Sequence, residues 1–164
     1  MNKVFFDLEW NTGFLDGNSF DEIIEIGAVK TDEEYRQIDG FRRLIRPVIY
    51  RKMNPYIQKI LAITMKDLQG EEPLASVAKA FFDWCRDCDT LIAWSGNDFG
   101  VLEKNLAHIG MKIPEQLGRY DVQMAYAYRT ENSIRNYALK TAVEAMELPE
   151  PEGQEYHDAY CDAQ

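Results

Sequence analysis

The first hydrophobic run of the chain, Val4 to Trp10, is short and is interrupted by two carboxylates, Asp7 and Glu9. Its Val and Phe content and its length predict a buried β-strand rather than a helix. Side chains alternate across a strand, so Asp7 and Glu9 point to the same face. Burying an unpaired carboxylate costs several kcal/mol, and the nearest basic residue is Lys3. The two acids therefore either face solvent at a strand end or lie against a strong positive partner, for which a hard divalent cation is the obvious candidate.

Two more apolar runs follow, and the connection between them is short. Ile23 to Lys30 and Gln37 to Ile45 each have the length and composition of a strand. Residues 11–19 are rich in Gly, Asn and Ser and are predicted to form a loop. Three strands in succession with short connections predict an antiparallel meander.

The rest of the chain alternates between helical and strand patterns. Pro73 stands where a helix begins, and Ser95 to Asp98 has the residues of a helix start. Strands are predicted at 90–94 and 119–122, and helices at 55–61, from 64, from 73 to about 88, at 95–110, from 124, at 133–146 and at 155–162. Strands that come first and then alternate with helices are typical of a mixed sheet covered by helices, so we predict an α/β fold.

The composition fits one folded domain, residues 1–164. Of its residues, 46% are hydrophobic and 12% aromatic, which is enough for a substantial core. No apolar run approaches the ~20 residues that span a bilayer, and the N-terminus leads straight into a strand, so we expect no membrane association, no signal peptide and a cytoplasmic location. The three cysteines argue against a disulfide framework. Cys85 and Cys88 form a lone C-x-x-C, interpreted as ordinary reduced cysteines.

The chain is strongly acidic, with 18 basic residues against 28 acidic ones and a net charge of −10. This balance argues against a protein that coats nucleic acid by bulk electrostatics. It is compatible with an enzyme that holds a short strand end through bound metal, and any affinity for nucleic acid is then expected to be local and metal-dependent.

Acids recur in two later contexts. Asp98 follows a predicted buried strand and opens a helix, where open α/β sheets bind ligands, although an acid there also caps its helix. His157 and Asp162 are five residues apart, about 500° of helix, so they meet only if His157 lies at the helix entry or in the loop before it. Asp158 is then the predicted helix cap and, one turn from Asp162, the best rival ligand.

The ordered set of these residues resembles a known family. Asp7-Leu8-Glu9, then Asp98, then His157 with Asp162 at an H-x4-D spacing look like the three exonuclease motifs of the DnaQ-like 3′→5′ exonucleases, of the DEDDh type because of the histidine. Segments 22–29, 61–64 and 139–142 resemble family segments in the expected order. Segment 90–98, in which a Trp and a Gly precede Asp98, looks most like the ERI/KapD-like branch.

The resemblance implies a fold of the ribonuclease-H-like superfamily. We therefore expect a five-stranded mixed sheet flanked by helices, with its first three strands forming the antiparallel meander. By similarity, Asp7 and Glu9 lie on the central strand.

The resemblance also implies a role for each site residue. Asp7, Glu9 and Asp162 would hold one divalent ion, Mg²⁺ or Mn²⁺, and Asp7 would bridge to a second ion that Asp98 supports. His157 would be the general base. The chemistry is consistent, because two cations about 3.5–4 Å apart activate the attacking water and stabilise the leaving oxygen, and a histidine with a pKa near 6.5 takes up a proton at neutral pH.

Substrate contacts are expected beside the first motif. Trp10, Asn11 and Thr12 should lie next to the 3′-terminal nucleotide. Trp10 replaces a small or hydroxylated residue that relatives usually have there, and its ring either stacks on the terminal base or packs under the loop. Three basic residues farther along the chain either meet phosphates or are simply solvated: Arg129, Arg135 and Lys140.

The function that the sequence favours is a metal-dependent 3′→5′ exonuclease acting on short single-stranded RNA or DNA. The alternative is a catalytically weak module with the nuclease fold that binds RNA or a protein partner. Most relatives continue with a helix after the last motif, whereas this chain ends two residues beyond Asp162. A truncated C-terminus is therefore part of the expectation.

Overall fold

A mixed β-sheet organises the protein. The computed structural model describes residues 1–131, 136–148 and 157–164. Among these residues five strands form one sheet in the order β3-β2-β1-β4-β5: β1 Asn2–Leu15, β2 Asn18–Thr31, β3 Gln37–Leu44, β4 Cys88–Ala93 and β5 Gly118–Asp121. Strands β1, β2 and β3 pair antiparallel, and β4 and β5 continue the sheet in parallel. The predicted five-stranded mixed sheet with an antiparallel meander is confirmed, and β1 is its central strand.

The first two strands form a longer hairpin than the sequence pattern predicted. Residues 11–15 continue β1, and residues 18–22 belong to β2, so the predicted loop over 11–19 is wrong except at its tip. Asp16 and Gly17 make the turn with φ angles of 50° and 80°. A two-residue turn with positive φ at both positions matches the twist of the flanking strands and favours Asp-Gly. This dipeptide was the signal for the hairpin.

Helices cover the sheet. They are α1 Ile57–Ile60, α2 Met65–Leu68, α3 Leu74–Trp84, α4 Gly96–His108, α5 Val122–Glu131, α6 Leu139–Ala145 and α7 Ala159–Asp162. Helix α3 ends earlier than predicted because Cys88 already pairs with Asn2 in the parallel ladder between β4 and β1. Among the described residues, none of these helices is long and apolar enough to cross a membrane.

Two of the predicted helices begin later than the sequence suggested. Residues 136–138 have no regular secondary structure, and the Tyr137 carbonyl accepts hydrogen bonds from the side chains of Trp94 (2.9 Å) and Gln123 (2.6 Å), which holds this stretch outside α6. His157 and Asp158 precede α7, so the helix predicted at 155–162 also begins later. The parts of the two predicted helices at 133–135 and 155–156 fall outside the described residues. None of the three cysteines forms a disulfide among the described residues, and Cys85 and Cys88 are buried.

The two faces of β1 have different surroundings. Val4, Phe6 and Leu8 are almost completely buried and pack against side chains of α3 and α4 in the main core. The intervening residues, including Asp7 and Glu9, point to the opposite face, where α7 lies. Strict alternation thus separates the apolar half of the strand from the half that carries its carboxylates.

Candidate active site

Asp7 and Glu9 project from the middle of the central strand. In the hairpin register Asp7 lies opposite Gly27 and Glu9 lies opposite Glu25. A register shift follows at once between Glu9 and Trp10, so the regular pleat ends directly after the second carboxylate. Both acids are half-buried on the face of the sheet that lacks the main core.

The C-terminal helix brings a third carboxylate to this face. Asp158 is the N-cap of α7, and its side chain accepts a hydrogen bond of 3.0 Å from the Cys161 N–H. Asp162, at the other end of the helix, accepts one of 3.1 Å from the backbone N–H of His157. Carboxylate oxygens of Asp7, Glu9 and Asp162 all lie within 4.8 Å of one another. His157 therefore lies in the loop before the helix, as the spacing required.

Asp98 approaches from the edge of the parallel strands. It lies in the first turn of α4, is 5% exposed, and accepts a hydrogen bond of 3.2 Å from the Ser95 hydroxyl. Ser95, rather than Asp98, caps the helix by accepting a hydrogen bond from the Asn97 N–H. Asp98 is therefore not the N-cap itself, although its carboxylate bonds Ser95, and its charge adds to the effect of burial in raising the pKa of Asp7.

One cavity connects all five of these residues. It has a volume of about 340 Å³, which is in the range of small-ligand sites, roughly 300–1,000 Å³. Its charged side consists of Asp7, Glu9, Asp98, His157 and Asp162. The remainder is mainly apolar and aromatic: Leu8, Trp10, Ile57, Ile60, Leu61, Trp94 and Leu139, together with Ser95.

The carboxyl groups carry strongly shifted pKa values. Burial raises the pKa of Asp7 well above its usual range, and the charges of Asp98, Glu9 and Asp162 raise it further. Burial, followed by the charge of Asp162, raises the pKa of Glu9 to about 8. Burial raises the pKa of Asp98 to about 6 although hydrogen bonds oppose the shift, and burial also raises the pKa of Asp162. Four acids thus share one site, and the described residues provide no ion-pair partner for any of them.

This donor set fits a hard divalent cation. Mg²⁺ and Mn²⁺ prefer carboxylate oxygens, and the convergent oxygens of Asp7, Glu9 and Asp162 are close enough to share an ion. A bound cation would also compensate the repulsion that raises their pKa values. Asp98 lines the same cavity, and its charge is close enough to Asp7 to add to the burial that raises the pKa of Asp7.

Close backbone contact seats α7 on the sheet. Gly27 of β2 lies under the first turn of the helix, where an added Cβ would be 2.1 Å from the carbonyl carbon of Ala159. Gly40 of β3 similarly contacts the ring of Tyr160. Two glycines on neighbouring strands therefore let a helix of four residues, Ala159–Asp162, reach the sheet and place its carboxylate beside β1.

An ionic network ties the same helix to the sheet. The Arg42 guanidinium donates to Glu25 (2.8 Å) and to Asp158 (2.5 Å). Glu25 is completely buried, and burial raises its pKa although the charge of Arg42 opposes the shift. The predicted rival ligand Asp158 is therefore occupied as a helix cap and an ion-pair partner. Sequence reasoning missed Glu25 and Arg42, although an acid within the apolar run Ile23 to Val29 was a signal of the same kind as Asp7.

The candidate substrate residues beside the first motif lie in different surroundings. Trp10 is half-buried, packs against the main core and also lines the cavity. The buried Asn11 side chain bonds the backbone of Lys52 (3.0 Å) and Asn54 (2.8 Å), and the Thr12 hydroxyl donates to Asp21. Among the described cavity-lining residues neither Asn11 nor Thr12 appears, and their contact with substrate stays a prediction.

The basic residues singled out from the sequence lie elsewhere. Lys140 lies 3.9 Å from Glu144 on the exposed face of α6, and Arg129 is exposed on α5. Neither is among the described residues that line the cavity. Arg135 lies outside the described residues.

Solved structures with the same fold include nucleases. The nuclease domain of 3′hExo, a DEDDh family member bound to rAMP, has a TM-score of 0.82 at 17% identity, over 99% of this chain and 86% of that one. A 3′-exonuclease that recognises the 3′ end of the histone mRNA stem-loop has a TM-score of 0.81 at 16% identity, over 99% and 76%. E. coli exonuclease I in complex with a dT13 oligonucleotide has a TM-score of 0.71 at 15% identity, over 99% and 38%, so this chain spans well under half of that enzyme.

Family membership rests on the sequence. No curated protein matches the chain in sequence. The profile of the exonuclease family RNase_T matches residues 4–164, almost the whole chain. The finer placement in the ERI/KapD-like branch stays a prediction. The match and the ribonuclease-H-like sheet agree, and the chain belongs to the RNase_T exonuclease family.

Proposed function

We propose that the protein is a metal-dependent 3′→5′ exonuclease that removes nucleotides from short single-stranded RNA or DNA. The observation that carries the proposal is the convergence of Asp7, Glu9 and Asp162 within 4.8 Å, in a cavity that Asp98 and His157 also line. Structural neighbours solved with rAMP and with dT13 support a nucleotide as the occupant.

The division of the cavity suggests how a strand end binds. Its acidic side suits a phosphate only when cations are present, because four carboxylates otherwise repel it. Its apolar side, with Trp10, Ile60 and Leu139 among its residues, suits the face of a terminal base. Apolar and stacking contacts distinguish bases poorly, so we expect little preference for the identity of the last base.

The reaction assigns a task to each polar residue. Water adds to the terminal phosphorus, the bond from phosphorus to the 3′ oxygen of the preceding nucleotide breaks, and a nucleoside 5′-monophosphate departs. The 3′ oxygen of the shortened strand takes up a proton from solvent and becomes a hydroxyl. Asp7, Glu9, Asp98 and Asp162 would hold two divalent cations, which when bound offset charge on the phosphate and lower the pKa of the attacking water. The neutral His157 imidazole takes the proton of that water, and its exposed position passes the proton on to solvent.

The backbone around His157 suits this task. The residue has a φ of 70°, and its N–H is bonded to Asp162. Histidine tolerates positive φ better than most residues. The main chain of His157 is therefore hydrogen-bonded to α7, the helix that carries Asp162, while His157 also lines the cavity.

A labelled-strand experiment tests the proposal. Single-stranded RNA and DNA of roughly ten nucleotides, labelled at the 5′ end, are incubated with Mn²⁺ or with EDTA, and a strand with a blocked 3′ end serves as the control. The proposal predicts that the wild type shortens strands with a free 3′ end stepwise in Mn²⁺ but not in EDTA. Asp7→Asn should shorten none of them. Internal cuts, cleavage in EDTA or full activity of Asp7→Asn would refute it. Binding of the strands without hydrolysis would support the non-catalytic module instead.

A further inference from the structure

The positive charge of the chain is concentrated in one stretch. No acidic residue occurs between Asp39 and Asp67, whereas seven basic ones do, beginning with Arg42 and ending with Lys66. The other eleven basic residues share the rest of the chain with all 28 acids. Residues 40–66 are called the basic segment below. A local excess of this size within a chain of net charge −10 is not expected from a uniformly solvated surface.

Most of these cations have no acidic partner. All seven are exposed, and among the described residues Arg42 alone of the segment forms an ion pair. Arg43 lies over the Phe41 ring and Arg46 donates to a backbone carbonyl. The four that remain have no ion-pair partner among the described residues: Arg51, Lys52, Lys59 and Lys66.

Buried polar groups hold the backbone of the segment in place. Glu22, 4% exposed, accepts hydrogen bonds from the backbone N–H groups of Val48 (2.6 Å), Ile49 (2.8 Å) and Tyr50 (2.9 Å). Asn11, 1% exposed, bonds the backbone at 52 and 54. The loop that carries Arg51 and Lys52 is therefore anchored to the first two strands beside the candidate active site.

The segment borders the catalytic cavity. Ile57, Ile60 and Leu61 line that cavity, and the exposed Lys59 lies between the first two of them in the chain. A second cavity of about 270 Å³ shares Ile60 and His157 with the first, and Arg42 lines it together with its acidic partners Glu25 and Asp158. The exposed cation Lys59 thus stands in the chain between two residues of the cavity's apolar lining.

We propose that the basic segment binds the sugar–phosphate backbone of the nucleotides upstream of the 3′ end. The inference rests on the proposed function, which places that end among the carboxylates. An acidic protein repels a polyanion, so a strand needs positive groups along its path in addition to the site itself. Lysine and arginine contacts to phosphate are independent of base and largely of sugar. The surface therefore suits single-stranded RNA and DNA alike.

Two matched charge variants test this surface. The first, Lys52→Gln with Lys59→Gln, removes two cations of the segment. The second, Lys79→Gln with Lys104→Gln, removes two exposed cations on α3 and α4 that also have no ion pair among the described residues. Binding of labelled oligouridylate and oligothymidylate of roughly ten nucleotides is followed by fluorescence anisotropy over a range of salt concentrations. Mg²⁺ is present so that the acidic side can accept the strand end, and a non-hydrolysable methylene phosphonate replaces the 3′-terminal linkage so that the strands stay intact.

The proposal predicts a loss that is specific to the basic segment. The first variant should bind both oligonucleotides about tenfold more weakly at low salt, and the slope of log Kd against log salt should fall by about 0.7 for each lysine. The second variant should bind as the wild type does. Equal behaviour of the two variants would overturn the proposal, whether both bind normally or both weaken. A loss confined to oligouridylate would overturn the assignment to the phosphate backbone.

The outcomes separate this inference from the proposed function. If the wild type shortens strands in Mn²⁺ while the first variant keeps the affinity and slope of the wild type, the surface is wrong and the nuclease stands. If no strand is shortened while the first variant loses affinity, the surface stands and the exonuclease proposal fails.

Discussion

Gly27 pairs with Asp7 across the hairpin and also lies directly against the backbone of Ala159, the first residue of α7. An added Cβ at position 27 would lie 2.1 Å from the Ala159 carbonyl carbon, so no side chain fits between sheet and helix. One residue pair thereby sets the distance between the strand that carries Asp7 and the helix that carries Asp162. The convergence of the carboxylates depends on the absence of a side chain at position 27.

The first prediction concerns this contact. Gly27→Ala should push α7 away from the sheet, because the clash is with main-chain atoms that cannot rotate aside. Asp162 then leaves the other two carboxylates, and we expect a loss of at least about 100-fold in turnover together with weaker Mn²⁺ binding. Gly100→Ala in α4 is the control, because a Cβ there meets nothing within 4 Å and alanine favours a helix interior by about 1 kcal/mol. Normal Mn²⁺ binding by Gly27→Ala would contradict the idea that Gly27 lets α7 approach the sheet.

The second prediction concerns Arg42. Removal of its guanidinium by Arg42→Ala leaves the fully buried Glu25 without its counter-ion. Because Arg42 itself is half-exposed, we expect a loss of about 2 kcal/mol in the free energy of unfolding, less than for a fully buried pair. Without Arg42, burial is no longer opposed and the pKa of Glu25 rises further, so the loss is smallest at acidic pH and grows as the pH rises.

A double variant is the control for Arg42. Arg42→Ala combined with Glu25→Gln removes the buried charge, and urea unfolding should show the pH-dependent part of the loss disappear. If the penalty of Arg42→Ala is the same at every pH, the network does not act through the buried charge of Glu25.

The third prediction separates catalysis from metal binding at position 157. His157→Asn keeps a residue that tolerates the φ of 70° and keeps the backbone N–H bonded to Asp162. We expect turnover to fall by about 10² to 10⁴, the usual contribution of a general base, while Mn²⁺ affinity changes little. Parallel losses in turnover and affinity would show that the histidine supports the site rather than taking the proton.

The fourth prediction is a pH dependence of stability without metal. Burial raises the pKa of Glu9 from 4.5 to about 8 in the folded protein, and Asp7 is shifted in the same direction. The folded state therefore holds more protons than the unfolded state between these values, and stability falls as pH rises through this window, by up to about 1.4 kcal/mol per pH unit for each such group. Urea unfolding between pH 5 and pH 8 measures the slope. Saturating Mg²⁺ and the variant Glu9→Gln should each flatten it, and a metal-free protein that gains stability with pH would contradict the account.

The sequence was sufficient where local rules decide the structure. Alternation along β1 separates Asp7 and Glu9 from the core residues Phe6 and Leu8, and Ser95 with the first turn of α4 follows ordinary capping rules. The spacing of His157 and Asp162 correctly required a histidine ahead of the helix.

The sequence did not predict the features that depend on tertiary contacts. The role of Glu25 depends on which strand residue lies opposite it and on the arrival of Arg42 from β3, and neither can be read from a linear pattern. From the sequence, Gly27 is an ordinary strand residue, and only the folded structure reveals its contact with α7. The basic segment is different, because a running count of charge along the chain is enough to detect it.

The central claim is that carboxylates from distant parts of the chain converge to hold a divalent cation. Titration with Mn²⁺, followed by the electron paramagnetic resonance signal of the free ion, tests it directly on the wild type and on Asp7→Asn. The account predicts that the wild type takes up Mn²⁺ and that Asp7→Asn loses this uptake while its circular dichroism spectrum is unchanged. Equal uptake by the two folded proteins would contradict it.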